Sequence, residues 1–138
     1  DLERRLVRGE LAVRDVPEAW KQGMQVRLGI TPANDAQGCL QDIHWAMGVF
    51  GYFPTYALGN LYAAQFYATL RQQLPDLDDM IARGEFVPLR EWLRENIHRH
   101  GKRYRATELL NVVTGGPVSH KPFVEYLRAK FEPLYGLQ

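Results

Sequence analysis

Cysteine is almost missing from this chain: Cys39 stands alone among 138 residues. One thiol excludes an internal disulfide and a cysteine-based zinc site, and it fits a reducing compartment such as the cytoplasm. Excess charge is missing too. Seventeen Lys and Arg against sixteen Asp and Glu leave a formal net charge of +1. No basic tract interrupts the mixture, so neither nucleic acid nor an anionic membrane is an expected partner. No apolar run approaches the ~20 residues that cross a bilayer, and no basic-then-apolar leader opens the chain. Alternation of strand type with hairpin turns is absent, as are repeats and low-complexity linkers.

What is present is helical spacing. Hydrophobic residues make up 46% and charged residues 24% of the chain, which is ordinary for a globular protein able to bury its own core. Leu2 and Leu6 are one turn apart, with Gly9 as a stop. Asp15 as N-cap, Pro17 in the first turn and Glu18 predict a helix through Trp20, Met24 and Leu28 to Gly29. A further helix is expected from Asn34 or Asp35 through Trp45, broken by Gly48 and Gly51. From Pro54, the run Leu58, Leu61, Tyr62, Phe66, Leu70 predicts the longest helix, closed by Pro75. Its apolar residues occupy most faces, so it is expected to be the central, most buried helix.

Four shorter helices should follow. One lies in "PDLDDMIARG" and one carries Leu89, Trp92, Leu93 and Ile97 on one face. The third is capped at Thr107. The last is capped at Ser119, with Phe123, Tyr126, Leu127 and Phe131 as its buried stripe. The expected fold class is all-α, a helical bundle-like domain of about seven or eight helices.

Most candidate chemistry fails on spacing. His98 and His100 are two residues apart, whereas a chelating helical pair needs i, i+4. Cys39 reads as filler in an apolar helix, and "GVFG" and "TGGP" read as turns without a P-loop lysine. The stretch "DIHWAMGVFGYFPTYALGN" is the exception. Trp45, Phe50 and Phe53 read as packing. His44, Tyr52 and Tyr56 each carry a polar tip where one helix ends, a loop turns and another helix begins. Such groups can donate hydrogen bonds to a carbonyl oxygen as it gains negative charge.

"GCLQDIHWAMGVFGYFPTYALGNLYAAQF" (38–66) closely resembles the C-terminal part of the Taq-type zinc carboxypeptidases, of the H-E-x-x-H clan. "DLERRLVRGELAVRDVPEAWKQGM" resembles the family's lead-in, and "ENIHRHGKRYRATELLNVVTGGPVSHKPFVEYLRAKF" its terminal segment. The resemblance implies a larger all-helical clefted metallopeptidase that removes C-terminal residues from peptides. Its zinc is held by an H-E-x-x-H helix and a later Glu, motifs that this sequence lacks. Residues 1–138 therefore read as a C-terminal substrate-binding domain, whose zinc-bearing N-terminal half lies upstream. Alone, the chain is expected to be inactive, with no metal ligands of its own.

In the wider clan, which includes angiotensin-converting enzyme, a His and a Tyr downstream of the zinc helices face the scissile carbonyl. By order His44 is similar to that His, and Tyr52 and Tyr56 are both candidates for that Tyr. The other tyrosine would contact substrate. His100, Arg103 and Arg105, in "HRHGKRYR", are candidates for holding the terminal carboxylate, although a solvated helix end, where the dipole favours cations, is the simpler reading of them. The family also suggests a homodimeric parent. The alternative reading is a non-catalytic helical module whose aromatic loop docks a partner helix or peptide.

Overall fold

The structure is a computed structural model and describes residues 1–137. Among them are seven α-helices, four 3₁₀ turns and no strand. The helices are α1 (Leu2–Val7), α2 (Val16–Leu28), α3 (Phe53–Gln73), α4 (Leu77–Ala82), α5 (Val87–Asn96), α6 (Ala106–Thr114) and α7 (Lys121–Tyr135). They fall into two compact units, Asp1–Pro54 and Thr55–Gln138.

In the first unit, α2 starts where Asp15 and Pro17 predict and stops at Gly29. The helix expected from Asn34 or Asp35 through Trp45 does not form. Two 3₁₀ turns, Asp35–Gln37 and Cys39–Gln41, take its place. Short polar side chains supply the cause, because they offer the backbone an alternative to helical bonding. The Asn34 side chain accepts from the Gln37 N–H at 3.0 Å. Gly38 then lets the chain fold tightly: a Cβ there would lie 3.2 Å from the Asn34 carbonyl oxygen and 3.6 Å from Trp20 Cδ1. Cys39 is accordingly half-buried at the start of a 3₁₀ turn, not filler inside an apolar helix.

The second unit has a core of Leu70, Leu77 and Trp92, with Leu74, Leu89, Leu93, Ile97 and Val113 packed against it. The Trp92 indole N–H donates to Gln73 Oε1 at 2.6 Å, so the buried ring keeps its polar edge satisfied. Leu110 of α6 is completely buried. The expected face of α5 is confirmed, with Trp92 buried and Leu89, Leu93 and Ile97 partly so.

The long helix α3 differs from expectation. Only Gln65 and Leu70 are buried on it, while Tyr56 is 56% and Leu58 40% exposed. Its apolar residues occupy more faces than the neighbouring helices of its unit cover. Gln65 has the opposite character, a polar side chain fully engaged inside. Its Nε2 donates to the Pro117 carbonyl (2.8 Å) and Thr114 Oγ1 (3.3 Å), and its Oε1 accepts from the Ser119 N–H (3.0 Å). One amide thus ties α3 to the connection between α6 and α7.

Two caps shift, to Arg105 from Thr107 for α6 and to His120 from Ser119 for α7. Helix α6 begins at Ala106, before Thr107, with the Arg105 N–H donating to Glu108 Oε2 at 2.9 Å. Helix α7 is preceded by His120, and Ser119 Oγ accepts the Lys121 N–H at 3.2 Å. The stripe expected to be buried on α7 is only half covered: Phe123, Leu127 and Phe131 are half-buried and Tyr126 is exposed.

Leu110→Ala should destabilise the chain by about 2–5 kcal/mol in urea unfolding, against well under 1 kcal/mol for the exposed neighbour Val112→Ala. Gln65→Ala, which strands the Ser119 N–H and the Pro117 carbonyl, should cost about 1–3 kcal/mol by the same measurement.

Candidate functional site

The loop after Gln41 is organised by one carboxylate. Asp42 Oδ1 accepts the His44 N–H at 3.1 Å, and Oδ2 accepts the Trp45 N–H at 3.0 Å. These two bonds bend the chain into the turn that the Val49 N–H closes on the His44 carbonyl at 2.8 Å. Asp42 Oδ1 also lies 3.0 Å from His44 Nδ1, and the Asp42 side chain is only 2% exposed. Burial alone would push this carboxyl towards its neutral form. The Trp45 N–H, the His44 ring and the His44 N–H outweigh burial and hold it below the usual carboxylate range. Asp42 is therefore an acceptor at neutral pH, and the His44 ring meets it with a proton on Nδ1.

A second carboxylate closes the loop from afar. Glu3, on α1, accepts the Gly51 N–H at 2.7 Å and the Trp45 indole N–H at 3.2 Å, both on Oε1. Gly51 sits at φ +77°, a left-handed conformation natural to glycine, which turns its N–H towards Glu3. Trp45 lies edge-on to Trp20 of α2 at 6.2 Å and parallel to Phe50 at 6.2 Å. The expectation that Trp45, Phe50 and Phe53 fill a core holds only in part. Trp45 is half-buried, but Phe50 is 52% and Phe53 41% exposed.

Two of the predicted site residues come together in this unit. The His44 ring stacks on Tyr52, with centroids 5.4 Å apart and planes 21° apart. Phe53 meets the other part of the imidazole environment at 4.7 Å. An imidazole and a phenol side by side place two hydrogen-bonding groups on one wall. Tyr56 belongs to the second unit, near the start of α3. So do His100, Arg103 and Arg105. His98–His100 form a 3₁₀ turn after α5, and His100 and Arg103 both lie on Tyr104, at 5.3 Å and 5.5 Å from its ring centre. Arg105 is exposed and precedes α6. An open groove between α3 and α7, lined by Ala64, Tyr67, Arg71, Phe123 and Tyr126, contains none of these predicted residues.

Sequence reasoning missed Asp42 and Glu3. Asp42 carried a local signal, an acidic residue two positions before a histidine at a helix break. Glu3 carried none, since its partners are 42 and 48 residues away. Among the described residues, no three His, Cys, Asp or Glu side chains converge as metal ligands, and no helix is long and apolar enough to cross a membrane.

Residues 1–131 match the family described as carboxypeptidase Taq (M32) metallopeptidase. Thermostable carboxypeptidase 1 of Thermus thermophilus is 48% identical over 99% of this chain, and carboxypeptidase 1 of Bacillus subtilis is 44% identical over 98%. The M32 carboxypeptidase of Deinococcus radiodurans superposes with a TM-score of 0.92 at 43% identity, covering 98% of this chain and 27% of that one. The chain likewise spans 27% of the length of the Thermus and Bacillus relatives. Its helices, its sequence and its superposition agree that the chain belongs to the carboxypeptidase Taq (M32) metallopeptidase family.

Proposed function

We propose that this chain is the part of a zinc metallocarboxypeptidase that contributes contacts to the reacting carbonyl and to the substrate, while the metal ligands are supplied by residues outside it. The observation that carries this reading is the His44 ring, fixed by the buried Asp42 carboxylate and stacked on Tyr52. A ring held at two points loses little freedom when it binds, which is what preorganised stabilisation of developing charge requires. Among the described residues, no three His, Cys, Asp or Glu side chains could hold a metal ion. The contribution we assign to the chain is at the substrate: His44, with Tyr52 or Tyr56, donates hydrogen bonds to the carbonyl oxygen as it becomes an oxyanion.

The other tyrosine contacts the peptide. Arg103 or Arg105, with His100, supplies the positive charge for the terminal carboxylate that a carboxypeptidase must recognise, and a guanidinium can do so with two parallel bonds. The substrate is accordingly the C-terminus of a peptide. The exposed rings of Phe50 and Phe53 are surfaces for the N-terminal half of the same enzyme, which we place in the cytoplasm as a homodimer.

In the full-length enzyme, His44→Ala should lower turnover of a peptide substrate by about 10²–10³-fold with zinc content unchanged. Near-normal turnover contradicts the reading. Of Tyr52→Phe and Tyr56→Phe, the one producing a loss of the same order identifies the donating tyrosine. The isolated chain, dialysed and analysed for metal, should hold no zinc. One zinc per chain would show that the ligand set had been misplaced.

A further inference from the structure

Asp42 carries more interaction than a turn needs. Its two oxygens cap two backbone N–H groups, yet Oδ1 also reaches His44 Nδ1 at 3.0 Å, and the side chain that does this is 2% exposed. A carboxylate can only accept, so the ring gives its Nδ1 proton to Asp42. That has a consequence for any donation to substrate. A neutral imidazole protonated on Nδ1 has a lone pair at Nε2 and nothing to donate there. To donate from Nε2 to an oxygen gaining negative charge, the ring must carry its second proton and bear a positive charge. The Asp42 carboxylate, 3.0 Å from Nδ1, is the counter-charge within hydrogen-bonding distance of that ring.

We propose that Asp42 is a positioning residue that acts through His44, holding the ring with Nδ1 towards itself and supplying the counter-charge when Nε2–H is presented to the substrate oxygen. This inference rests on the proposed role of His44 and adds to it the group that makes that role possible. It also accounts for the packing. Tyr52 stacked at 5.4 Å and Phe53 at 4.7 Å restrict the ring's rotation, and Asp42 then determines which nitrogen faces which way. Without the carboxylate nothing at Nδ1 fixes which way the ring faces, and a positive charge on the ring has no counter-charge beside it.

The test is a double-mutant cycle in the full-length enzyme, with turnover expressed per bound zinc. Two replacements at Asp42 are used because both preserve an oxygen that caps the turn: Asp42→Asn and Asp42→Ser. Asparagine removes the charge, and serine is too short to reach the ring. With His44 present, each should lower kcat by about 10–100-fold while KM stays within about twofold, the scale seen when the hydrogen-bonding partner behind a metal-ligating histidine is lost. With His44→Ala in place, neither should lower kcat further by more than about twofold, because the residue it acts through is gone. Either replacement retaining kcat within about twofold of the parent overturns the proposal. So does an equal loss with and without His44, which would make Asp42 a purely structural cap. If His44→Ala itself retains turnover, the underlying reading of His44 has failed. If His44→Ala loses turnover and the Asp42 variants do not, only the present inference has failed.

Discussion

A carboxylate taken out of water must be given hydrogen bonds, and meeting that demand at Asp42 shapes the candidate site. Two backbone N–H groups and one ring nitrogen converge on a side chain that is 2% exposed. An unpaired buried charge would cost several kcal/mol, so all three partners are constrained together. The backbone bonds set the turn after Gln41, and the turn sets where the next residues go. Trp45 is thrown onto Trp20, the chain returns to Gly51, and Tyr52 and Phe53 arrive beside the imidazole. Glu3 holds the far end of the same loop. The proposed function and the local architecture thus share one electrostatic requirement.

The second unit shows the same economy with a neutral group. Gln65 is surrounded by apolar side chains on a helix, yet each end of its amide is used, and the segment between α6 and α7 is placed by it. The apolar cluster of Leu70, Leu77 and Trp92 provides the general driving force for burial. Directional bonds from single polar side chains select the particular arrangement of connections.

Much of this was legible from residue spacing, and the failures have physical causes. Helix α2 was visible because Pro17 and Gly29 mark its ends, and the buried face of α5 because Leu89, Trp92, Leu93 and Ile97 recur at helical intervals. The stretch between Asn34 and Trp45 misled because its apolar spacing is helical, while Asn34, Gly38 and Asp42 locally favour turns. Burial of α3 was overestimated because periodicity reports how apolar a face is and says nothing of what covers it. At the site, His44 and Tyr52 were legible as polar tips in an apolar loop. Glu3 was not, because nothing near it in sequence anticipates Trp45 or Gly51.

The central claim is that His44 meets the oxygen of the reacting carbonyl. A crystal structure of the full-length zinc enzyme with a phosphinic peptide, whose tetrahedral phosphorus imitates the carbonyl after attack, tests it most directly. The account predicts His44 Nε2 at about 2.7–3.1 Å from a phosphinyl oxygen, with Nδ1 still on Asp42. A phosphinyl group with no contact to His44, bound while the ring stays on Asp42, would contradict it.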